Sequence, residues 1–273
     1  MKKALRKPYR IKRKKSIFHN RLFWLGVLIL VIAGTAFYYL FFSETFQVKK
    51  IIITGKDYNP PTASSHSQSE WAPGVSMEEL ELLIDKNLEK KISFFDTKNI
   101  FLVDFNQINK IVLANFPQIA KASFGRQLPD KIKIEIEERR PAAIFIYDKN
   151  YFLLDKEGII FEKINEENET ELLKIKNFTL NQDLKLGERV IEKEKVDQIM
   201  KINSGLINLN LKILEASLMT EKRLNLKTEE GWEIYFNLEK DLDWSLTQLK
   251  LVLEEKISPE RYIDLRFEKL YYK

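Results

Sequence analysis

Leu22 to Phe42 reads LFWLGVLILVIAGTAFYYLFF, a run of 21 residues without a charge. At about 1.5 Å of rise per residue, a helix of that length covers about 31 Å, the thickness of a bilayer's hydrocarbon core. Trp24 lies towards one end, and Phe37, Tyr38 and Tyr39 towards the other. Such rings favour the headgroup level at both interfaces. The stretch therefore predicts a single transmembrane helix over 22–42. Gly34-Thr35-Ala36 offers a small-residue cleavage site, but the apolar core of a signal peptide is about 7–15 residues, and this run continues through Phe42. The reading is an anchor.

Outward from the helix, the two flanks differ in charge. The chain of 273 residues has 45 Lys plus Arg against 40 Asp plus Glu, a net of +5. Ten of those bases precede the helix: Lys2, Lys3, Arg6, Lys7, Arg10, Lys12, Arg13, Lys14, Lys15 and Arg21. The first acid is Glu44. The tail 1–21 thus carries +10 and the remainder −5. Bases beside one end of an apolar helix hold that end in the cytoplasm. Lys12, Arg13, Lys14, Lys15 and Arg21 are read as the topology signal, with 43–273 extracytoplasmic. Ten bases would also bind nucleic-acid phosphate, but beside a membrane helix a topology signal is the simpler reading.

Beyond the anchor, Phe46–Thr54 (FQVKKIIIT) is β-branched and ends at Gly55, which predicts a strand. Residues 56–74 hold Pro60, Pro61, Pro73 and a Ser cluster, which predict a long loop. Ser76 and Glu79 have capping-box spacing, and Met77, Leu80, Leu83, Ile84 and Leu88 follow at helical intervals. Asp104 opens a second helix, with Phe105, Ile108, Val112 and Phe116 on one face and Pro117 at its end. Ile119–Phe124 is a strand candidate. Asp130–Glu137 (DKIKIEIE) alternates, which turns Ile132, Ile134 and Ile136 to a core. Strand, helix, helix, strand, strand makes a compact α+β unit with both helices on one face. Glu137-Glu138-Arg139-Arg140 reads as a solvated strand end with local charge pairing.

Pro141 breaks the pattern and marks a boundary. Ala143–Tyr147, Tyr151–Leu154 and Ile159–Glu162 read as strands, the last two joined by a turn at Asp155–Gly158. Residues 163–172 are a polar loop. Glu194–Leu206 reads as a helix, and Leu211–Leu218, Arg223–Thr228 and Trp232–Phe236 as a meander. Asp241 or Asp243 caps a helix striped by Leu242, Leu246, Leu249, Leu253 and Ile257. Arg261–Phe267 (RYIDLRF) and Lys269–Tyr272 (KLYY) are strand-like. The expected fold is a transmembrane helix followed by two α+β domains, the second a β-rich mixed domain. The domains are a tail at 1–21, the helix at 22–42, a unit at 43–139 with a loop insertion at 56–74, and a β domain at 140–273.

The inventory of reactive groups is thin. There is no Cys, which removes disulfides, thiol catalysis and thiolate zinc sites. The two His are His19, beside the membrane, and His66, in the Ser-rich loop; both read as solvated bystanders. No HExxH, GxSxG or P-loop occurs. A carboxylate pair would suffice for glycoside hydrolysis, but the acids fall mostly on polar helix faces. No cofactor, metal or catalytic residue is expected. Asn168-Glu169-Thr170 and Asn177-Phe178-Thr179 match the glycosylation acceptor pattern, of meaning only in a eukaryotic secretory pathway.

Four features resemble the FtsQ/DivIB family of bacterial cell-division proteins. They are the plan of basic tail, anchor and two extracytoplasmic domains; FQVKKIIITG, similar to the first strand of a POTRA domain; Leu128-Pro129-Asp130 leading into KIKIEIEERRPAA, similar to the POTRA-closing strand and its Glu-Arg-x-Pro exit; and YFLLDKEGIIF with YIDLRF, as in the family's β domain. The chain departs from the family in the length of 56–74 and in Leu128, where Trp often stands. The resemblance implies a non-enzymatic scaffold at the septum of the cytoplasmic membrane. It would bind FtsB- and FtsL-type single-span partners and help regulate septal peptidoglycan synthesis. A partner strand would add to the last strand of the β domain. In that frame Tyr262, Asp264 and Arg266 form a readable face against Ile263, Leu265 and Phe267, and Leu270, Tyr271 and Tyr272 add apolar contact. Tyr262, Asp264, Arg266, Phe267 and Leu270 are the expected partner-binding residues. Two other classes remain: a POTRA-bearing envelope transport or assembly factor, and a membrane-anchored carboxylate hydrolase.

Overall fold

The computed structural model describes residues 21–55, 76–92, 95–165, 172–181, 183–255 and 259–273. The predicted loop 56–74, His19, His66, Ile257, the first acceptor triplet and Lys12, Arg13, Lys14 and Lys15 lie outside them. The chain divides into two compact units. One takes the chain up to Lys50 with Glu89–Val103 and Arg126–Ile132; the other takes Ile51–Leu88, Asp104–Gly125 and Lys133–Lys273.

In the first unit, helix α1 (Arg21–Phe42) is the transmembrane helix. Its apolar side chains are exposed all round, the state expected of a helix whose solvent is lipid. Its C-terminal end is closed deliberately. Ser43 N–H donates to the Tyr39 carbonyl, and a 3₁₀ turn, Glu44–Phe46, follows with Ser43 as its cap. The predicted strand from Phe46 therefore starts late: β1 is Lys50–Gly55. A short hairpin, β2 (Lys90–Ile92) with β3 (Phe95–Thr97), was not legible in the sequence.

In the second unit, α2 (Met77–Leu88) starts where Ser76 Oγ accepts from the Glu79 N–H. Helix α3 (Phe105–Asn115) starts where Asp104 accepts from the N–H groups of Asn106 and Gln107. Leu80, Ile84 and Leu88 of α2 and Ile108 and Val112 of α3 are buried. Strands β4 (Ile119–Gln127) and β5 (Lys131–Glu138) join β1 in a sheet of order β1-β5-β4. Ile132, Ile134 and Ile136 are buried, as the alternation requires. The Leu128–Pro129 peptide is cis.

Only Arg139 and Arg140 separate β5 from β6 (Pro141–Tyr147). Arg139 corrects the reading of a solvated strand end. Its Nε donates to the Pro117 carbonyl at 2.9 Å, and its Nη1 pairs with Asp155 at 2.5 Å. Both side chains are almost buried, at 11% and 5% exposure. The Asp155 carboxylate also accepts from the N–H groups of Glu157 and Ile159, which shapes the predicted turn between β7 (Asn150–Asp155) and β8 (Ile160–Ile164).

A nine-stranded mixed sheet follows. Its further members are β9 (Lys174–Asn177), β10 (Ile213–Leu218), β11 (Arg223–Thr228), β12 (Glu233–Asn237), β13 (Tyr262–Asp264) and β14 (Tyr271–Tyr272). The order is β14-β13-β12-β11-β10-β9-β6-β7-β8. β9 runs parallel to both β6 and β10, and β13 runs parallel to β12; the other pairs are antiparallel. Helices α4 (Lys193–Asn208) and α5 (Leu242–Glu254) bury Val196, Ile199, Ile202, Leu206 and Leu249 in one core with Phe145, Leu224, Ile234, Phe236 and Ile263. Asp241 caps α5. The helices approach closely at Gly205, where a Cβ would stand 2.6 Å from Leu246 Cδ1.

Candidate partner-binding edge

The C-terminal strands are shorter than RYIDLRF and KLYY suggest, and their shortness sets the edge. β13 pairs with β12 on one side and with β14 on the other, so its backbone is occupied. Among the described residues, the outermost strand at this end is β14. Lys273 and Tyr262 exchange N–H···O bonds in both directions. By antiparallel alternation, the Tyr271 groups also face β13, and the Tyr272 N–H and C=O face away from it. This corrects the assignment of the edge to Tyr262, Asp264 and Arg266: those residues offer side chains beside the edge, not its backbone.

On the sheet face away from the helices, side chains form a linked group. The Tyr235 and Tyr262 rings stack at 5.3 Å. Arg223 and Arg266 lie over the Tyr235 ring at 4.9 and 5.3 Å. Arg266 also grips Asp264 through Nε at 2.8 Å and Nη2 at 2.5 Å, and its backbone N–H donates to the same carboxylate. Burial works to raise the Asp264 carboxyl, but these hydrogen bonds and the charges of Arg266 and Arg223 outweigh it and hold it below its ordinary value. Burial, helped by the neighbouring Glu233, pushes the Tyr235 phenol up.

The alternation holds through Leu265 and then fails. Ile263 and Leu265 are buried in the core, while Phe267 is 53% exposed. The strand ends at Asp264, so Phe267 no longer obeys strand periodicity; its ring meets Tyr271 edge-on at 5.9 Å. Leu270 packs against the core, which makes it a support of the hairpin rather than a free contact. Tyr271 and Tyr272 stand exposed along the edge. The sequence reading missed Trp244 and Leu251. They lie on one face of α5 with Gln248, which donates to the Glu268 carbonyl, so that face adjoins the hairpin loop. Both are more than half exposed. Their signal was present: apolar residues seven apart, off the leucine stripe.

This architecture coincides with two family models. The model of the cell division protein FtsQ/DivIB C-terminal domain matches residues 143–266, and that of the FtsQ-type POTRA domain matches 75–139. The chain belongs to the FtsQ/DivIB family. It is similar to cell division protein DivIB of Clostridium tetani, 25% identical over 122 residues, and of Clostridium botulinum strain Loch Maree, 27% identical over 128 residues. Each match covers 45% of this chain, and 45% and 49% of the relative, so it spans about half the length of the curated relatives. The extracytoplasmic domain of DivIB from Geobacillus stearothermophilus is similar at 15% identity and a TM-score of 0.28, over 44% of this chain and 98% of that one. The chain thus joins one transmembrane helix, among the described residues, to an FtsQ-type POTRA domain and an FtsQ/DivIB C-terminal β-rich domain. The transport-factor reading gives way to the FtsQ type of the POTRA match.

Proposed function

We propose that this chain is a non-enzymatic divisome scaffold, with its boundary between POTRA and β domains at residues 139 and 140. It sits in the cytoplasmic membrane at the septum, N-terminus inside, held so by Lys12, Arg13, Lys14, Lys15 and Arg21. Its partners are FtsB- and FtsL-type single-span proteins, and the complex helps regulate septal peptidoglycan synthesis. The observation that carries the reading is the open β14 edge. The Tyr272 backbone faces outward between exposed Phe267, Tyr271 and Tyr272, an arrangement suited to strand addition with aromatic anchors. Tyr262, Asp264 and Arg266 present the polar side chains that a partner strand would read.

The test is co-purification from membranes of dividing cells. The intact chain brings the two single-span partners with it and a fluorescent fusion gathers at midcell. Deletion of residues 270–273 loses the partners while the chain stays membrane-bound. Uniform membrane fluorescence with no captured partner defeats the proposal.

A further inference from the structure

The end of the membrane helix is clamped by a residue far along the chain. Asn99 is 1% exposed, and its Nδ2 donates to the carbonyls of Leu40 at 2.9 Å and Phe41 at 3.1 Å. The last four carbonyls of any helix lack partners within it. With Tyr39 answered by Ser43, Asn99 answers two more. Near hydrocarbon there is no water to answer a free carbonyl, so the clamp has a physical reason at this depth. Asn99 Oδ1 accepts from the Phe101 N–H, and the Ile100 N–H donates to the Phe46 carbonyl. Gln47 Oε1 accepts from the Lys98 N–H at 2.9 Å. Arg126 closes the other side, donating to the carbonyls of Ile100 and Val103. The segment 97–103 is therefore held at the level of Leu40 and Phe41, which is where a helix of 22 residues leaves a bilayer.

At that level the segment shows aromatic surface. Tyr39 meets Phe46 edge-on at 5.9 Å, and Phe46 meets Phe101 at 5.4 Å. Phe101 is 38% exposed. The rings form a ladder that runs from the helix onto the clamped loop, continuous with exposed Tyr38 and Phe42. We infer that Phe46 and Phe101 form a second membrane contact: a collar beside α1 that enters the boundary between headgroups and acyl chains of the outer leaflet. The occupant is lipid, because continuity with the spanning helix puts these rings at the bilayer surface. This rests on the reading of α1 as a membrane span. Its consequence is a restrained tilt of the anchor, since the protein grips the bilayer at two points.

The absence of cysteine allows a single label at any position. The full chain is reconstituted in phosphatidylcholine–phosphatidylglycerol vesicles, with a nitroxide placed by Val31→Cys, Phe101→Cys or Leu82→Cys. Collision rates with oxygen and with a water-soluble nickel chelate then report depth. The ratio of the two is expected to be highest at Val31, lowest at Leu82, and at Phe101 roughly threefold above Leu82, as for burial of about 5–10 Å. A Phe101→Trp variant, which keeps an aromatic ring, gains fluorescence that lipid-borne bromine near the headgroups quenches. Asn99→Ala returns the Phe101 label to the Leu82 value. A Phe101 label that matches Leu82 while Val31 lies in lipid overturns the collar and leaves the anchor intact. A Val31 label in water overturns the anchor itself. A collar unchanged by Asn99→Ala overturns the clamp.

Discussion

The nine-stranded sheet ends in two edges that are treated in opposite ways. At β8 the edge is covered at its start. Ile160 N–H donates to the Glu188 carbonyl, Gly187 N–H donates to the Ile160 carbonyl, and Ile159 bridges to Arg189. Glu162 and Lys163 follow on the same strand. A folded-back segment and charge are standard protection against unwanted pairing. At β14 no further strand pairs among the described residues, and Phe267, Tyr271 and Tyr272 line the edge, each at least 53% exposed. One sheet thus contains both the means of closing an edge and an edge left open. The second edge is where the proposed partner strand would add.

The contrast can be broken hardest at the covered end. Arg139→Met leaves the Asp155 carboxylate buried without its cation at the end of β7, the strand that carries β8. Loss of one partner of a buried pair costs about 3–5 kcal/mol, and urea unfolding of the full chain in detergent should show that loss. Gly158→Ala attacks the cover itself. Gly158 has φ +76°, and a Cβ there would stand 1.8 Å from the Ile191 carbonyl oxygen. The expected cost is on the order of 3 kcal/mol, with faster amide exchange at Ile160.

At the open end the expected effects fall on binding rather than folding. Tyr272→Pro removes an N–H that faces away from β13, so stability changes little. Partner capture should fall by about tenfold or more, a hot-spot-sized effect. Tyr271→Pro removes an N–H that faces β13 and should loosen the hairpin as well; equal effects from the two would refute the outward assignment of Tyr272. The smallest effect concerns acid. Asp264 has a depressed value in the folded chain, so its contribution is fully present above its unfolded value, about pH 3.9. It is lost as pH falls through the folded value. Thermal melts of wild type and Asp264→Asn should therefore begin to approach each other only below about pH 4 and meet once pH has fallen below the depressed folded value.

Local signals were read well. Ser76 and Asp104 cap the helices the spacing assigned to them, and Ile132, Ile134 and Ile136 are buried as their alternation demands. The leucine stripe of α5 faces the core, while Trp244 and Leu251 show that the same helix has a second apolar face. Signals that depend on partners were not legible. Strand β9 is four residues long and exists because β6 and β10 flank it. Arg139 looked like one charge in a polar run until Asp155 and Pro117 met it.

The amino-acid sequence by itself determined the anchor, the charge asymmetry, the absence of thiol chemistry and the order of the two domains. Each follows from composition or from a period of two or 3.6, which one segment carries alone. The tertiary structure decided that β13 is interior and β14 the edge, that Asn99 closes the membrane helix, and that Arg139 is buried. Those outcomes depend on which distant backbone or carboxylate arrives to complete a hydrogen bond, and a pairing of that kind leaves no period in the sequence.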